Sequence, residues 1–229
     1  MYILLAQFSC VFIMKRLLCI CLNRDIILQK NCYINTIWAN KKGENEMSSN
    51  DTKKLELLDC TLRDGAYIVD AHFGVAAIKG ILKKLQESNM DIIECGWLKD
   101  FEHEKGTTFY HVPSDVEQYL DGKNDRSTYV VMIDWDRYDV DTLPEYDGKS
   151  IDAVRVVFPY GKHKEGIAVG RKIQQKGYKV FYQAANTLAY KEEDLLDLAN
   201  EINKVNPVAL SVVDTFGAMY EEDLERIVN

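Results

Sequence analysis

Charged and amide side chains recur at the ends of six short apolar segments of this sequence. They are Arg63 and Asp64 after the first segment, Glu94 in the second, Asp134 after the third, Asn186 after the fifth and Asp214 after the sixth, while Arg155 lies within the fourth. In a parallel α/β sheet, the carboxyl ends of the strands meet at one edge, and chemistry gathers there. If the six segments are strands of one such sheet, these side chains converge.

Two interpretations of this convergence stay open from position alone. Several carboxylates beside an arginine suit a hard divalent cation such as Mg²⁺ or Mn²⁺ and an anionic substrate. The same residues could instead form structural ion pairs and helix N-caps, with Asp64 capping the segment that follows it. Clustered charges mark functional sites only statistically.

The elements that must position these residues alternate along the chain. The predicted strands cover 55–60, 91–95, 127–133, 153–158, 178–184 and 207–213. The predicted helices cover 73–88, 164–176 and 190–204, with a short helix near 112–120, a weak helix or turn at 138–146 and a last helix that begins at 220. A loop, 97–112, follows the second strand and contains Lys99, Lys105, His103 and His111. It is either a lid over the site or a solvated connection.

Six βα units in a row predict an α/β fold with a parallel sheet, either doubly wound or an eight-stranded barrel. The first βα turn reads T-L-R-D-G at 61–65 and is not a G-x-G-x-x-G loop. The dinucleotide-binding form of the doubly wound fold is therefore disfavoured. A barrel of this type has eight units and about 250 residues. From Met47 onward the chain contains six.

The composition excludes several classes of protein. The net charge of -8, from 28 Lys/Arg and 36 Asp/Glu, argues against nucleic acid and anionic membrane surfaces as partners. No run of 18 uncharged apolar residues predicts a spanning helix. Six cysteines are too few for a disulfide scaffold. We therefore expect a cytoplasmic protein.

Residues 1–46 differ from the rest of the chain. They contain six Lys/Arg, three Asp/Glu and four of the six cysteines. Lys15 and Arg16 interrupt the opening apolar run, which does not match a secretory signal peptide. We interpret 1–46 as an atypical N-terminal extension, Met47 as the natural start, and 47–229 as a partial TIM-barrel domain.

Three motifs carry a resemblance to a known superfamily. They are L-L-D-C-T-L-R-D-G at 57–65, I-I-E-C-G at 92–96 and V-D-T-F-G at 213–217. In order and position they resemble the DRE-TIM metallolyases, which include 3-hydroxy-3-methylglutaryl-CoA lyase, the pyruvate carboxyltransferase domain and isopropylmalate and homocitrate synthases. The nearest likeness is to 4-hydroxy-2-oxovalerate aldolase-type proteins. The resemblance covers about 55–229 and implies a TIM (β/α)8-type barrel, truncated at its C-terminus to about six βα units.

The resemblance also implies roles for individual residues. Asp64 corresponds to a ligand of the divalent metal, Mn²⁺ or Mg²⁺, and Arg63 to the group that steadies an enolate oxygen. Glu94 corresponds to a carboxylate that supports the site and its waters. Asp214 and Thr215 correspond to a pair near the substrate.

Two positions depart from the family pattern. The family takes two further metal ligands from an H-x-H pair on its seventh strand, whereas His72, His103, His111 and His163 form no such pair. The metal site of this chain is therefore expected to be incomplete. Tyr67 stands where 4-hydroxy-2-oxovalerate aldolase has an acid–base histidine, and an ordinary tyrosine, with a pKa near 10, is a poor base at neutral pH.

We expect a metal-dependent carbon–carbon lyase of the aldolase type (EC 4.1.3-type) that acts on a small 2-oxo acid through an enolate, inactive or weakly active in this form. One alternative is a Claisen-type acyltransferase of the same superfamily. Another is a non-catalytic barrel remnant. Open strand edges favour pairing with another chain, so a homo-oligomer is compatible with the sequence.

Overall fold

Short β-branched and aromatic segments alternate with amphipathic ones, and the chain folds accordingly into parallel strands joined by helices. The computed structural model describes residues 6–8 and 56–228. The strands of this part are β1 Ala6–Phe8, β2 Leu58–Asp59, β3 Ile92–Leu98, β4 Phe109–Tyr110, β5 Thr128–Asp134, β6 Ala153–Phe158, β7 Lys179–Ala184 and β8 Ala209–Asp214. The helices are α1 Thr61–Asp64, α2 Ala66–Val69, α3 Val75–Glu87, α4 Ser114–Glu117, α5 His163–Gln175, α6 Glu192–Ile202 and α7 Glu221–Val228, with 3-10 turns at Val140–Thr142 and Thr187–Ala189.

The strands form one curled parallel sheet in the order β1-β8-β7-β6-β5-β3-β2, with β4 also paired to β3. Six of them, β2, β3, β5, β6, β7 and β8, are the strands of successive βα units and make up part of an α/β barrel, as predicted. An apolar cluster on the sheet takes one buried residue from each of five strands: Ile92, Val130, Ala153, Phe181 and Ala209. A larger apolar cluster includes buried side chains of the helices and of the alternate strand positions.

Most predicted elements are present with small shifts at their ends. Helix α6 shows why apolar spacing and an acidic first turn predict a helix. Leu198 and Ile202 are buried one turn apart, and the Asp194 carboxylate accepts a hydrogen bond from the Lys191 backbone N–H at 3.1 Å. The acidic first turn of α6 also suits the helix dipole.

The first βα connection differs from its prediction. The first strand is limited to Leu58–Asp59, because the chain turns directly into α1 and α2. Helix α3 begins at Val75, not at 73, because Gly74 takes φ 82°, outside the helical region. The loop 97–112 contains the short strand β4, which lies beside the end of β3.

Strand β1 lies within the segment that we interpret as an N-terminal extension. It pairs in parallel with β8, and Phe8 is the register partner of Asp214. Met47 and the remaining residues of the extension, 1–5 and 9–46, lie outside the described residues. The boundary at Met47 therefore stays a prediction.

A β-bulge in β3 sets the direction of the side chains beyond it. The register between β3 and β5 shifts between Glu94 and Trp97, and Gly96 within this interval has φ 148°. A Cβ on Gly96 would lie 2.2 Å from the Thr108 carbonyl oxygen, so the backbone at the start of β4 approaches too closely for any side chain there. In a regular strand, residues three apart point to opposite faces. The bulge lets Glu94 and Trp97 both approach Arg63.

Candidate active site

Arg63 and Asp64 lie on α1, immediately beyond the carboxyl end of β2. Their side chains are buried, with 4% and 9% of each residue exposed, and Arg63 Nη1 donates to Asp64 Oδ1. Arg63 Nε donates to Glu94 Oε2 at 2.8 Å. The structure therefore brings together three predicted site residues, Arg63, Asp64 and Glu94, in one buried ion-pair cluster.

Glu94 is shared between two arginines. Its second oxygen, Oε1, accepts from Arg155 Nη1 at 2.5 Å, and Arg155 Nη2 donates to Gln183 Oε1 at 2.7 Å. Glu94 and Arg155 are 0% and 1% exposed. This chain of contacts joins α1, β3, β6 and β7, so the orientation of Arg63 is fixed by residues from across the sheet.

The pairing keeps these groups charged. Burial by itself raises the pKa of Glu94, but the Arg155 and Arg63 guanidiniums outweigh it and hold the pKa of Glu94 below its usual value. Burial opposes the charge of Arg63, and the carboxylates of Glu94 and Asp64 more than compensate and raise its pKa. An ion pair that is buried and held by several hydrogen bonds is rigid, which is the property that a preorganised site requires.

Arg63 retains a donor nitrogen that no acceptor among the described residues satisfies. Arg63 Nη2 is buried and lacks a hydrogen-bond partner in the described part of the chain. An unsatisfied buried N–H group costs free energy, so such groups are rare and suit a site that receives a ligand. A guanidinium N–H can bind the oxygen of a carboxylate or an enolate.

Tyr67 lies on α2, one turn beyond Arg63. Its ring is mostly exposed, at 71%, but its hydroxyl is partly desolvated, and this raises its pKa. The charge of Arg63 lowers this pKa, and the carboxylates of Asp64 and Asp134 raise it further. A phenol with a raised pKa stays protonated near neutral pH. It can therefore donate a proton and is not suited to be the base.

Asp214 and Thr215 lie at the end of β8 and have partners of their own. The Asp214 carboxylate accepts hydrogen bonds from the backbone N–H groups of Ala218 and Met219 at 3.0 and 3.1 Å. Thr215 Oγ1 accepts from the Asn186 backbone N–H at 2.7 Å. No contact joins this pair to Arg63 within the described residues. Here they organise the loop after β8, and their role near a substrate stays a prediction.

The bulge places an aromatic ring close to two cations. The Trp97 ring centroid lies 5.8 Å from Arg63 Cζ and 4.4 Å from Lys99 Nζ. Lys99 Nζ also donates to Asp134 Oδ2 at 3.0 Å. This group, Trp97, Lys99 and Asp134, extends the Arg63 cluster along the carboxyl ends of β3 and β5.

The described residues do not complete a metal site. No group of three or more His, Cys, Asp or Glu side chains within 6–8 and 56–228 is arranged to hold an ion. Asp64 is engaged by Arg63, and Cys60 Sγ lies 3.9 Å from Asp64 Oδ2. Three histidines contact groups other than Asp64. The pairs are His103 with Tyr119, His111 with the Lys99 carbonyl and His163 with Asp197. His72 lies before α3, and its Nε2 is 3.5 Å from Glu104 Oε2.

Sequence reasoning missed the contribution of two strands. Arg155 was noted as a charge within its strand but was given no role, and Gln183 was not singled out. Strand alternation was the signal that could have found them. Ile92, Ala153 and Phe181 belong to one apolar cluster. Glu94, Arg155 and Gln183 each follow one of these residues by two positions, so they lie on the same face of the sheet.

Comparisons with known proteins support the fold. No family model and no curated protein matches the chain. Solved structures match, among them the "N-terminal domain of a putative aldolase" from Bacteroides vulgatus, with a TM-score of 0.56 and 19% identity over 76% of this chain. The chain spans 58% of that structure's length. At this identity the likeness shows a shared aldolase-like barrel fold. None of the helices in 56–228 has the length and apolarity to cross a membrane.

Proposed function

We propose that this protein is an aldolase-type carbon–carbon lyase that acts on a small 2-oxo acid through an enolate. The observation that carries the proposal is the geometry of Arg63. Its guanidinium is buried, bound to Glu94 at 2.8 Å and adjacent to Asp64, and its buried Nη2 has no acceptor within the described residues. A fixed donor of this kind stabilises charge that develops on a carbonyl oxygen.

The reaction class follows from that charge. When a 4-hydroxy-2-oxo acid is cleaved, the C3–C4 bond breaks and its electron pair forms the enolate of the 2-oxo acid. The C4 hydroxyl proton leaves to a base, an aldehyde is released, and C3 takes up a proton. In our proposal Arg63 binds the enolate oxygen, and Glu94 keeps Arg63 in place. The Tyr67 hydroxyl, protonated at neutral pH, is the donor to C3.

A divalent cation, Mn²⁺ or Mg²⁺, belongs to the proposal as a prediction from the sequence. When bound it would polarise the 2-oxo group as a Lewis acid. Asp64 is the ligand that we assign. The other described residues do not complete the site, so Arg63, Glu94 and Tyr67 carry the mechanism proposed here. A cytoplasmic location likewise stays a prediction.

Product analysis tests the proposal and separates it from its alternatives. The protein is incubated with 4-hydroxy-2-oxo acids in the presence of Mn²⁺, and released pyruvate is measured by its reduction with NADH and lactate dehydrogenase. A parallel reaction with acetyl-CoA and 2-oxo acids measures free thiol. Pyruvate release supports the lyase, thiol release alone indicates the acyltransferase, and neither activity in the folded protein favours the non-catalytic interpretation.

A further inference from the structure

Lys99 lies at the mouth of the barrel but belongs to none of the three motifs at 57–65, 92–96 and 213–217. Lys99 follows β3 directly, and its side chain is 18% exposed. Its ammonium group lies 4.4 Å from the Trp97 ring centroid and 5.7 Å from that of Phe109. A lysine normally projects its strongly hydrated charge into water, so its retention between two aromatic rings requires a specific arrangement.

That arrangement is supplied by the strand ends. Asp134, the last residue of β5, accepts from Lys99 Nζ at 3.0 Å and is itself 24% exposed. The bulge at Gly96 directs Trp97 toward Arg63 and Lys99 together. An ammonium group has three N–H donors, and one is used by Asp134. The side chain as a whole remains 18% exposed, and the other two N–H donors are not used by Asp134.

We propose that Lys99 determines specificity by binding an anionic group, a carboxylate or a phosphate, at the end of the substrate remote from the carbonyl that Arg63 binds. This inference rests on the proposed function for the identity of the substrate's reactive end. Arg63 Cζ and Lys99 Nζ lie 5.8 and 4.4 Å from the same indole centroid, which keeps the two cations within the span of one small ligand. An anion held by two separated cations is bound in a single orientation.

The first test compares two aldehydes in the reverse reaction with pyruvate. Succinate semialdehyde carries a remote carboxylate, and propionaldehyde does not. The measured quantity is kcat/KM for the anionic aldehyde divided by kcat/KM for the neutral one. We expect Lys99→Met to lower this ratio by about 10- to 100-fold, mainly through KM, because a charged hydrogen bond is lost. Lys99→Arg should keep the ratio within a few-fold of wild type.

Lys204→Met is the matched control. Lys204 is an exposed lysine paired with Glu201 at 2.7 Å at the far end of α6, and its loss should leave the ratio unchanged. An unchanged ratio in folded Lys99→Met would overturn the inference. If the wild-type protein condenses neither aldehyde with pyruvate, the result counts against the proposed function. The role of Lys99 in anion binding is then decided by the titration described next.

The binding measurement does not depend on turnover. The indole N–H signals of ¹⁵N-labelled protein are recorded during titration with succinate and, separately, inorganic phosphate, and the Trp97 signal is assigned from its loss in Trp97→Phe. We expect a saturable shift of that signal in wild type and none in Lys99→Met. The anion with the lower Kd identifies the remote group. No shift with either anion would show that Lys99 serves only to anchor Asp134.

Discussion

Arg63 Nε lies 2.8 Å from Glu94 Oε2, although 31 residues separate the two side chains in the sequence. The contact joins α1, the helix after β2, to β3. Glu94 is in turn held by Arg155, so a residue of β6 helps to determine where the Arg63 guanidinium points. The stability and the chemistry of the site therefore depend on the same carboxylate.

Replacing Glu94 by Gln should destabilise the fold. Two buried guanidiniums would lose their shared carboxylate, and breaking a buried ion pair typically costs about 3–5 kcal/mol. The measurement is the free energy of unfolding from urea denaturation at pH 7. Glu201→Gln, which removes an exposed partner of Lys204, is the control and should change stability by less than about 1 kcal/mol.

The same pair of proteins should differ in pH dependence. The pKa of Glu94 is lowered in the folded state, so its contribution to stability is present above the unfolded-state pKa and is lost as the pH falls through the folded-state pKa. The stability difference between wild type and Glu94→Gln should therefore shrink below about pH 4.5, the ordinary value for a glutamate. A difference that stayed constant from pH 7 to pH 3 would contradict the ionised state of Glu94.

Arg63→Lys tests the geometry of the guanidinium. Lysine keeps the charge but has one donor group where arginine has a planar fork, so it cannot bind Glu94, Asp64 and a substrate oxygen together. Loss of one preorganised oxyanion donor costs about 10²- to 10³-fold in kcat. We expect a loss of that size in the rate of pyruvate release. Circular dichroism of the variant verifies that it is folded. Activity within threefold of wild type would remove Arg63 from the mechanism.

The bulge in β3 should tolerate no side chain at Gly96. Alanine there would place Cβ 2.2 Å from the Thr108 carbonyl oxygen and 2.9 Å from the Tyr110 ring. Because φ is also 148°, the backbone conformation itself is unfavourable for alanine. We expect destabilisation of more than about 2 kcal/mol, measured by urea denaturation. Gly80→Ala in helix α3, where nothing lies within 4 Å of the new Cβ, should instead stabilise by about 0.5–1 kcal/mol.

Tyr67→Phe should separate chemistry from stability. The ring is mostly exposed, so loss of the hydroxyl should leave the free energy of unfolding within about 0.5 kcal/mol of wild type. If the hydroxyl is the proton donor, kcat for cleavage should fall about 10²-fold or more. In wild type, kcat should also decline at alkaline pH as Tyr67 ionises above its ordinary pKa of 10. An unaltered alkaline decline in Tyr67→Phe would exclude this role.

The sequence was sufficient to predict the strands and most helices, because apolar periodicity and turn residues are local signals. It also placed Arg63, Asp64 and Glu94 at neighbouring strand ends. It did not predict the contacts from Glu94 to Arg155 and from Arg155 to Gln183, because these depend on the register of four strands. Trp97 was not anticipated for a related reason: the bulge that redirects it arises from the approach of β4 to Gly96, a tertiary contact.

The most direct test of the central claim is the exchange of pyruvate methyl protons for deuterium, followed by ¹H NMR in D₂O, with and without added Mn²⁺. Enolisation requires neither an aldehyde nor knowledge of the natural substrate. We predict catalysed exchange by the wild-type protein, a loss of about 100-fold in Arg63→Lys, and no change in Lys204→Met. Exchange no faster than in buffer, in folded protein supplied with Mn²⁺, would contradict the enolate mechanism.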